Sequence, residues 1–203
     1  MKRLYLFFSL LVLAPLLVSA QNFEVNGGWA HISGDGGLDG FNVGAAVWFT
    51  PRVSIAADYD DTWDSSHLGV FELTQTGTII SKTHLQDGLV GPRIFFPGLL
   101  RNKQKHIAKL FPFFEAELGA SNEYGSLQEP TMKISQSASD NAFTWMLGGG
   151  ADYAISGHWV GRARVDFLRT HFADTGQSRA RLVLGVVYTV GKRNYAAGPQ
   201  PRP

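Results

Sequence analysis

The chain has 203 residues, with 18 Lys and Arg against 17 Asp and Glu and no cysteine. This length suffices for one domain with a filled interior. The even charge balance leaves no electrostatic footprint for nucleic acid, and the missing thiols exclude a disulfide scaffold and any thiolate nucleophile or thiolate metal site.

Residues 1–20 have the layout of a secretory signal peptide. Lys2 and Arg3 form a charged start, residues 4–18 an apolar run, and Val18-Ser19-Ala20 a small-residue cleavage site before Gln21. Pro15 interrupts the run, which is short for a membrane anchor. Cleavage there takes the basic count to 16 against 17 acids, so the mature chain is nearly neutral. After Ala20 no apolar run approaches the length of a membrane helix, and any membrane span has to be made of strands.

The mature chain alternates with period two in one segment after another, the signature of strands with two unlike faces. In residues 23–31, Phe23, Val25, Gly27 and Trp29 share one face. A loop of Gly and Asp follows to Gly40. Residues 41–49 place Phe41, Val43, Ala45, Val47 and Phe49 opposite Asn42, Gly44, Ala46 and Trp48. Thr50-Pro51-Arg52 is a tight turn, and residues 53–60 set Val53, Ile55, Ala57 and Tyr59 against Ser54, Ala56, Asp58 and Asp60. A polar stretch then leads to residues 85–95, where Gly88, Val90 and Ile94 oppose Asp87, Gly91 and Arg93. Pro92 is an awkward guest there, because proline removes a ladder donor. Basic, irregular residues 97–109 precede residues 110–119, with Phe114, Ala116 and Leu118 opposite Phe113, Glu115 and Glu117.

Residues 120–141 are polar. Residues 143–154 then carry Phe143, Trp145, Leu147, Gly149, Ala151 and Tyr153 on one face, and residues 158–168 carry Trp159, Gly161, Ala163, Val165 and Phe167. The final segment, 179–190, has Leu182, Leu184, Val186, Tyr188 and Val190 backed by Arg181, Val183, Gly185, Val187 and Thr189. These make about eight strands, most of them near the ~9–11 residues that a tilted strand needs to cross a bilayer. The connections 32–40, 61–84, 120–142 and 169–178 are long or polar. They alternate with connections at 50–52, 97–109 and 155–157, of which the first and last are very tight, the loop-and-turn asymmetry of an outer-membrane barrel.

The faces test this independently. The apolar sets contain no Lys, Arg, Asp or Glu. Asp58, Arg93, Glu115, Glu117, Asp152, Arg162, Arg164 and Asp166 all fall on the alternate faces. A lipid-facing Arg or Lys at mid-bilayer costs about 2–4 kcal/mol, so the segregation fits a membrane barrel with a polar lumen. Aromatic residues gather near both ends of the apolar faces, as in two interfacial girdles. The reading is an all-β, antiparallel up-and-down transmembrane β-barrel spanning residues 21–191. A disordered tail (192–203) follows, and Val186→Arg is expected to block insertion far more than Arg181→Ala.

The segments GLVGPRIFF (88–96), PFFEAELGAS (112–121) and FTWMLGGGADY (143–153), with the closing Gly185-x-x-Tyr188-x-Val190, resemble the outer-membrane protein β-barrel domain family of small OmpA- and OmpX-like barrels. The resemblance implies an integral protein of the bacterial outer membrane, placed there by barrel-insertion machinery. The chain departs from it where 191–203 continues past the last strand.

Several motifs compete for a chemical role. Glu115, Glu117, Arg162, Arg164 and Asp166 read as a lumen salt-bridge plug, or as the lining of a small-solute channel, because buried opposite charges must pair. His31-x-Ser33 could be a base and nucleophile of an outer-membrane lipid-modifying enzyme, but spacing identifies no acid to orient the base; Asp35 lies in the loop and Glu24 at the far end. Gly27-Gly28-Trp29 could belong to a lipocalin-like soluble barrel, which would need the opposite facing. Gly148, Gly149 and Gly150 make no phosphate loop, since no helix start follows. They read as room for side chains across the lumen. His67, His84, His106 and His158 lack metal-ligand spacing. The expectation is therefore a non-enzymatic, monomeric structural or surface-interaction protein without catalytic, cofactor or metal residues. Its partners are outer-membrane lipid, the barrel-insertion machinery and outer-surface ligands met by loops 61–84 and 120–142, while the basic 101–109 segment reads as a solvated turn, or alternatively as a contact for anionic lipid or periplasmic partners.

Overall fold

The computed structural model describes residues 23–33, 37–72, 75–96, 110–129, 134–172 and 175–190, with side chains described for all of these except 65–72, 75–81, 127–129, 134–136, 172 and 175. The expected signal peptide, the basic 101–109 segment, His106, Asp35 and the 192–203 tail lie outside the described residues, as does the side chain of His67.

Eight strands follow one another: β1 (Phe23–Ile32), β2 (Leu38–Trp48), β3 (Val53–Glu72), β4 (Gln75–Phe95), β5 (Leu110–Glu129), β6 (Ile134–Ala154), β7 (Trp159–Phe172) and β8 (Thr175–Val190). Each pairs antiparallel with the next, and β8 returns to β1, so the sheet is a closed barrel in sequence order. Closure removes the free edges that an open sheet would present. The closing ladder runs from Phe23 opposite Val190 to Ile32 opposite Arg181. On its other side β8 pairs with β7, from Trp159 opposite Tyr188 to Phe172 opposite Thr175. The last segment thus has the two neighbours that an up-and-down order gives it.

The strands are longer than the pattern suggests. β3, β4, β5 and β6 run to 20 or 21 residues, against 10 for β1 and 11 for β2. Residues 61–84 and 120–142 are therefore paired hairpins more than loops, from Asp61 opposite Gln86 to Glu72 opposite Gln75, and from Ala120 opposite Phe143 to Glu129 opposite Ile134. Most of 169–178 likewise completes β7 and β8, and the first loop shrinks to 33–37, where Gly37 takes φ 70°. The physical reason is simple. Alternation marks only stretches whose two faces meet different surroundings, whereas ladder hydrogen bonds join backbones whatever the side chains meet.

The wall is lopsided in consequence. The β2–β3 ladder stops at Asp39 opposite Trp63, and the β6–β7 ladder at Phe143 opposite His171. Between them β4 and β5 stay paired as far as Ile80 opposite Gln128. Strands β3 to β6 thus rise as a four-stranded sheet above a lower rim.

Pro92 is accommodated by a local gap. On the β3 side Pro92 stands opposite Ile55, while the β4–β5 ladder passes from Val90 opposite Leu118 to Arg93 opposite Glu115 without pairing Gly91 or Pro92. Proline has no N–H to give there. Gly91 is required beside it, because a Cβ at that position would sit 1.9 Å from the Ala116 carbonyl oxygen.

Candidate functional site

Strand parity sorts the side chains as the sequence predicts. Val25, Trp29, Val43, Ile55, Val90, Phe114, Leu147, Val165, Leu184 and Val186 point outward and are exposed. The intervening positions are buried, and they hold most of the charge of the wall. Among the described residues, Arg93, Arg162, Arg164 and Arg181 are buried with Glu24, Asp58, Asp60, Asp87, Glu115, Glu117, Asp152 and Asp166. Sequence reasoning tallied eight of these twelve as charges on the alternate faces and named five, Glu115, Glu117, Arg162, Arg164 and Asp166, as a lumen plug; Glu24, Asp60, Asp87 and Arg181 were left out of both tallies. Their strand parity was the available signal.

The lumen is layered. At the turn end Trp48, Phe95, Phe111 and Phe113 pack together, with ring centroids 4.7 Å apart for Trp48 and Phe95 and 5.1 Å for Phe95 and Phe113. The guanidiniums of Arg93 and Arg162 lie over the Phe113 ring at 5.3 and 5.2 Å, a cation–π contact that couples this layer to the charges above it. Leu89, Met146 and Leu168 form a second apolar cluster, and Ile32, Leu38, Leu85 and Ala142 a third near the rim.

The charged layer is a continuous network. Arg162 grips Asp152 through both carboxylate oxygens, Nε to Oδ1 at 2.7 Å and Nη2 to Oδ2 at 2.9 Å, and also donates to Glu24 Oε1 at 2.9 Å. Glu24 accepts from Arg93 Nη1 at 3.0 Å and from the Trp48 indole N–H at 3.1 Å. Arg93 donates through Nε to Glu115 Oε2 at 2.5 Å and through Nη2 to Asp58 Oδ2 at 3.3 Å. Arg164 Nη1 stands 2.8 Å from Asp58 Oδ2 and 2.9 Å from Glu115 Oε1, with its Nε 3.0 Å from Asp166. Arg181 donates to Asp166 at 2.8 Å and pairs with Asp60. Its Nη2 also reaches Met146 Sδ at 2.6 Å. Asn26 and Asn42 link the acids of β3, with Asn42 donating to Asp60 Oδ1 at 3.0 Å. Nearer the rim Asp87 accepts from the Ser121 hydroxyl, which lies 2.5 Å from Thr144 Oγ1. Bidentate and shared guanidinium contacts of this kind are what make burying so many charges tolerable.

Glycines make the room. A Cβ on Gly148 would lie 1.9 Å from Asp166 Oδ1, one on Gly44 2.4 Å from Asp58 Oδ1, and one on Gly150 2.8 Å from Phe113 Cζ. The reading of 148–150 as space for lumen side chains therefore holds at Gly148 and Gly150. Gly149 is on the outward face.

The other motifs resolve differently. His31 does meet an acid, Asp39, at 3.0 Å, delivered by the β1–β2 register and invisible to linear spacing. Ser33 is not brought into that pair: its hydroxyl accepts the Ala180 N–H at 2.9 Å. Trp29 of the Gly-Gly-Trp motif points outward, against the lipocalin facing. His84 pairs with Asp61, and His158 Nδ1 lies 2.9 Å from the Thr189 carbonyl oxygen. Arg181, which the sequence reading treated as the tolerant member of its pair with Val186, is instead a fully buried junction between β8, Asp60 on β3 and Asp166 on β7.

Solved structures with this architecture define the fold class. Ail, the attachment invasion locus protein of Yersinia pestis, in complex with the heparin analogue sucrose octasulfate, superposes with a TM-score of 0.54 at 14% identity, over 83% of this chain and 97% of its own. Neisserial surface protein A gives 0.53 at 12% identity, over 83% and 95%. A major outer membrane protein of Thermus thermophilus gives 0.52 at 14%, over 83% and 99%. No protein-family model matches the chain, and no curated protein matches it in sequence. The fold is that of the eight-stranded outer-membrane β-barrels. At such identities the likeness is one of fold alone.

Proposed function

We propose that this chain is an integral outer-membrane barrel, monomeric and non-enzymatic, with a sealed lumen and a raised outer sheet that meets partners outside the cell. The observation that carries the reading is the inverted polarity of the wall. Between the rim residues Asp39, Asp61 and Arg169 and the turn end, the outward positions carry no Asp, Glu, Lys or Arg, while twelve ionisable side chains are buried inside. A soluble barrel places these groups the other way round. The apolar stretch of β6 from Phe143 to Tyr153, at ~3.3 Å per residue and ~40° tilt, covers about 25 Å along the membrane normal, the height of a lipid-facing band.

Three apolar layers and a paired charge network support a side-chain-filled lumen over a conducting one. The engagement of Ser33 with the backbone of β8 supports a role without catalysis at His31. The partner-facing role rests on the four-stranded sheet of β3 to β6, which rises past the rim. Ail is described with a heparin analogue. Here, however, the described rim places Asp39 beside His31, Asp61 beside His84 and Glu123 beside Arg179, so that acids stand at each of these positions. That is not a surface suited to a polysulfated ligand.

Fractionation tests the reading. The protein is expected in the outer-membrane fraction, resistant to alkaline extraction and released only by detergent. Recovery in the soluble periplasmic fraction would overturn it. Single-channel recording in planar bilayers should give no conductance above background, and a stable open level would replace the sealed lumen with a pore.

A further inference from the structure

The lumen network is unbalanced, and the imbalance has a location. Four buried arginines face eight buried carboxyl groups among the described residues, with no buried lysine or histidine beside them. Glu24, Asp58, Asp60, Glu115, Asp152 and Asp166 each touch at least one guanidinium. Glu117 touches none. It is 1% exposed, and neither of its carboxylate oxygens accepts a hydrogen bond. A buried carboxylate without a partner is among the most costly arrangements a fold can hold, so its position calls for a compensating charge.

Glu117 is also aimed at two other acids. Oxygens of Asp58, Glu115 and Glu117 lie within 4.8 Å of one another. Calcium takes oxygen ligands at ~2.3–2.6 Å, which places two ligands of one ion at most about 5 Å apart. Three carboxylates at this spacing, on β3 and β5, match the size and hardness of that cation. The charge count agrees. With Glu117 added, the salt-bridged network holds seven acids, Glu24, Asp58, Asp60, Glu115, Glu117, Asp152 and Asp166, against Arg93, Arg162, Arg164 and Arg181, an excess of three that one divalent ion reduces to one. We propose that Asp58, Glu115 and Glu117 form an interior site for a calcium-sized divalent cation, which supplies the positive charge that the arginines do not. Glu117 is the ligand with both oxygens free. Asp58 and Glu115 are shared with Arg93 and Arg164, so the ion completes the plug and does not replace its ion pairs. The sequence reading assigned no metal ligands, because the site is built from two strands whose residues are 57 or more positions apart and only the barrel register brings them together.

The test is equilibrium urea unfolding of the full chain refolded in detergent micelles, in calcium or in EGTA at matched ionic strength, for wild type, Glu117→Gln and the exposed-acid control Asp39→Asn. A ligand that binds only the folded state moves the unfolding equilibrium in proportion to its concentration above Kd, about tenfold per tenfold rise in calcium. Wild type and Asp39→Asn are expected to show that shift, and Glu117→Gln to lose it while folding at least as well as wild type in EGTA. Direct titration calorimetry with calcium should give one site in wild type and none in Glu117→Gln. No calcium dependence in wild type would overturn the proposal and leave a protonated Glu117 as the compensating species. An equal calcium shift in Glu117→Gln would place the ion elsewhere and overturn it too.

Discussion

The two faces of this wall are made by the same strands and obey opposite rules. On β8, Val186 and Val187 are neighbours in sequence; Val186 is 45% exposed on the outer surface and Val187 is wholly buried in the lumen. The outer face is tolerant of which apolar residue it carries and intolerant of any charge. The inner face holds arginines and carboxylates freely, provided every partner stays in place. The constraint on the outside is therefore one of solvent, and on the inside one of complementarity.

The largest effect should come from breaking that complementarity. Arg93 bridges Glu24, Asp58 and Glu115, and Arg93→Met would leave these three buried acids with only Arg162 and Arg164 between them. Removing one partner of a buried ion pair typically costs about 3–5 kcal/mol, and refolded barrel measured by heat-modified gel mobility should fall accordingly. Arg181→Ala belongs to the same class, so it is not the mild control that sequence alone suggested. Next comes the outer face. Val186→Arg, at mid-height beside Gly27 and Gly161, should cost about 2–4 kcal/mol in urea unfolding from lipid vesicles. A smaller loss is expected from Gly148→Val, whose new side chain meets Asp166. Overpacking of this kind costs about 1–3 kcal/mol, and the same unfolding assay reads it. Smallest of all is Asp64→Asn, above the rim on β3, which should change stability by no more than about 0.5 kcal/mol. A large effect there would blur the distinction between the wall and its outer extension.

How much of this could be read from the chain follows from the same contrast. Period-two alternation assigned the inward and outward sets because the two faces meet different media, and it survived even at Pro92. It could not locate the outer ends of β3 to β6, where polar residues such as 137–141 pair without alternating. Nor could it supply partners across the lumen. Glu24 joins Arg162 over 138 positions and Asp58 joins Arg164 over 106, distances at which only register decides. The pairing of His31 with Asp39 was lost for the same reason on a smaller scale.

The central claim, that the apolar face meets lipid while the charged face does not, has a direct optical test. Trp145 lies on the outward face of β6, whereas Trp48 is 6% exposed and donates its indole N–H to Glu24 inside the barrel. Single-tryptophan variants retaining one or the other can be folded into bilayers of tail-brominated phospholipid. Strong quenching of Trp145 and little of Trp48 is expected; equal quenching, or the reverse order, would contradict the assignment of the two faces.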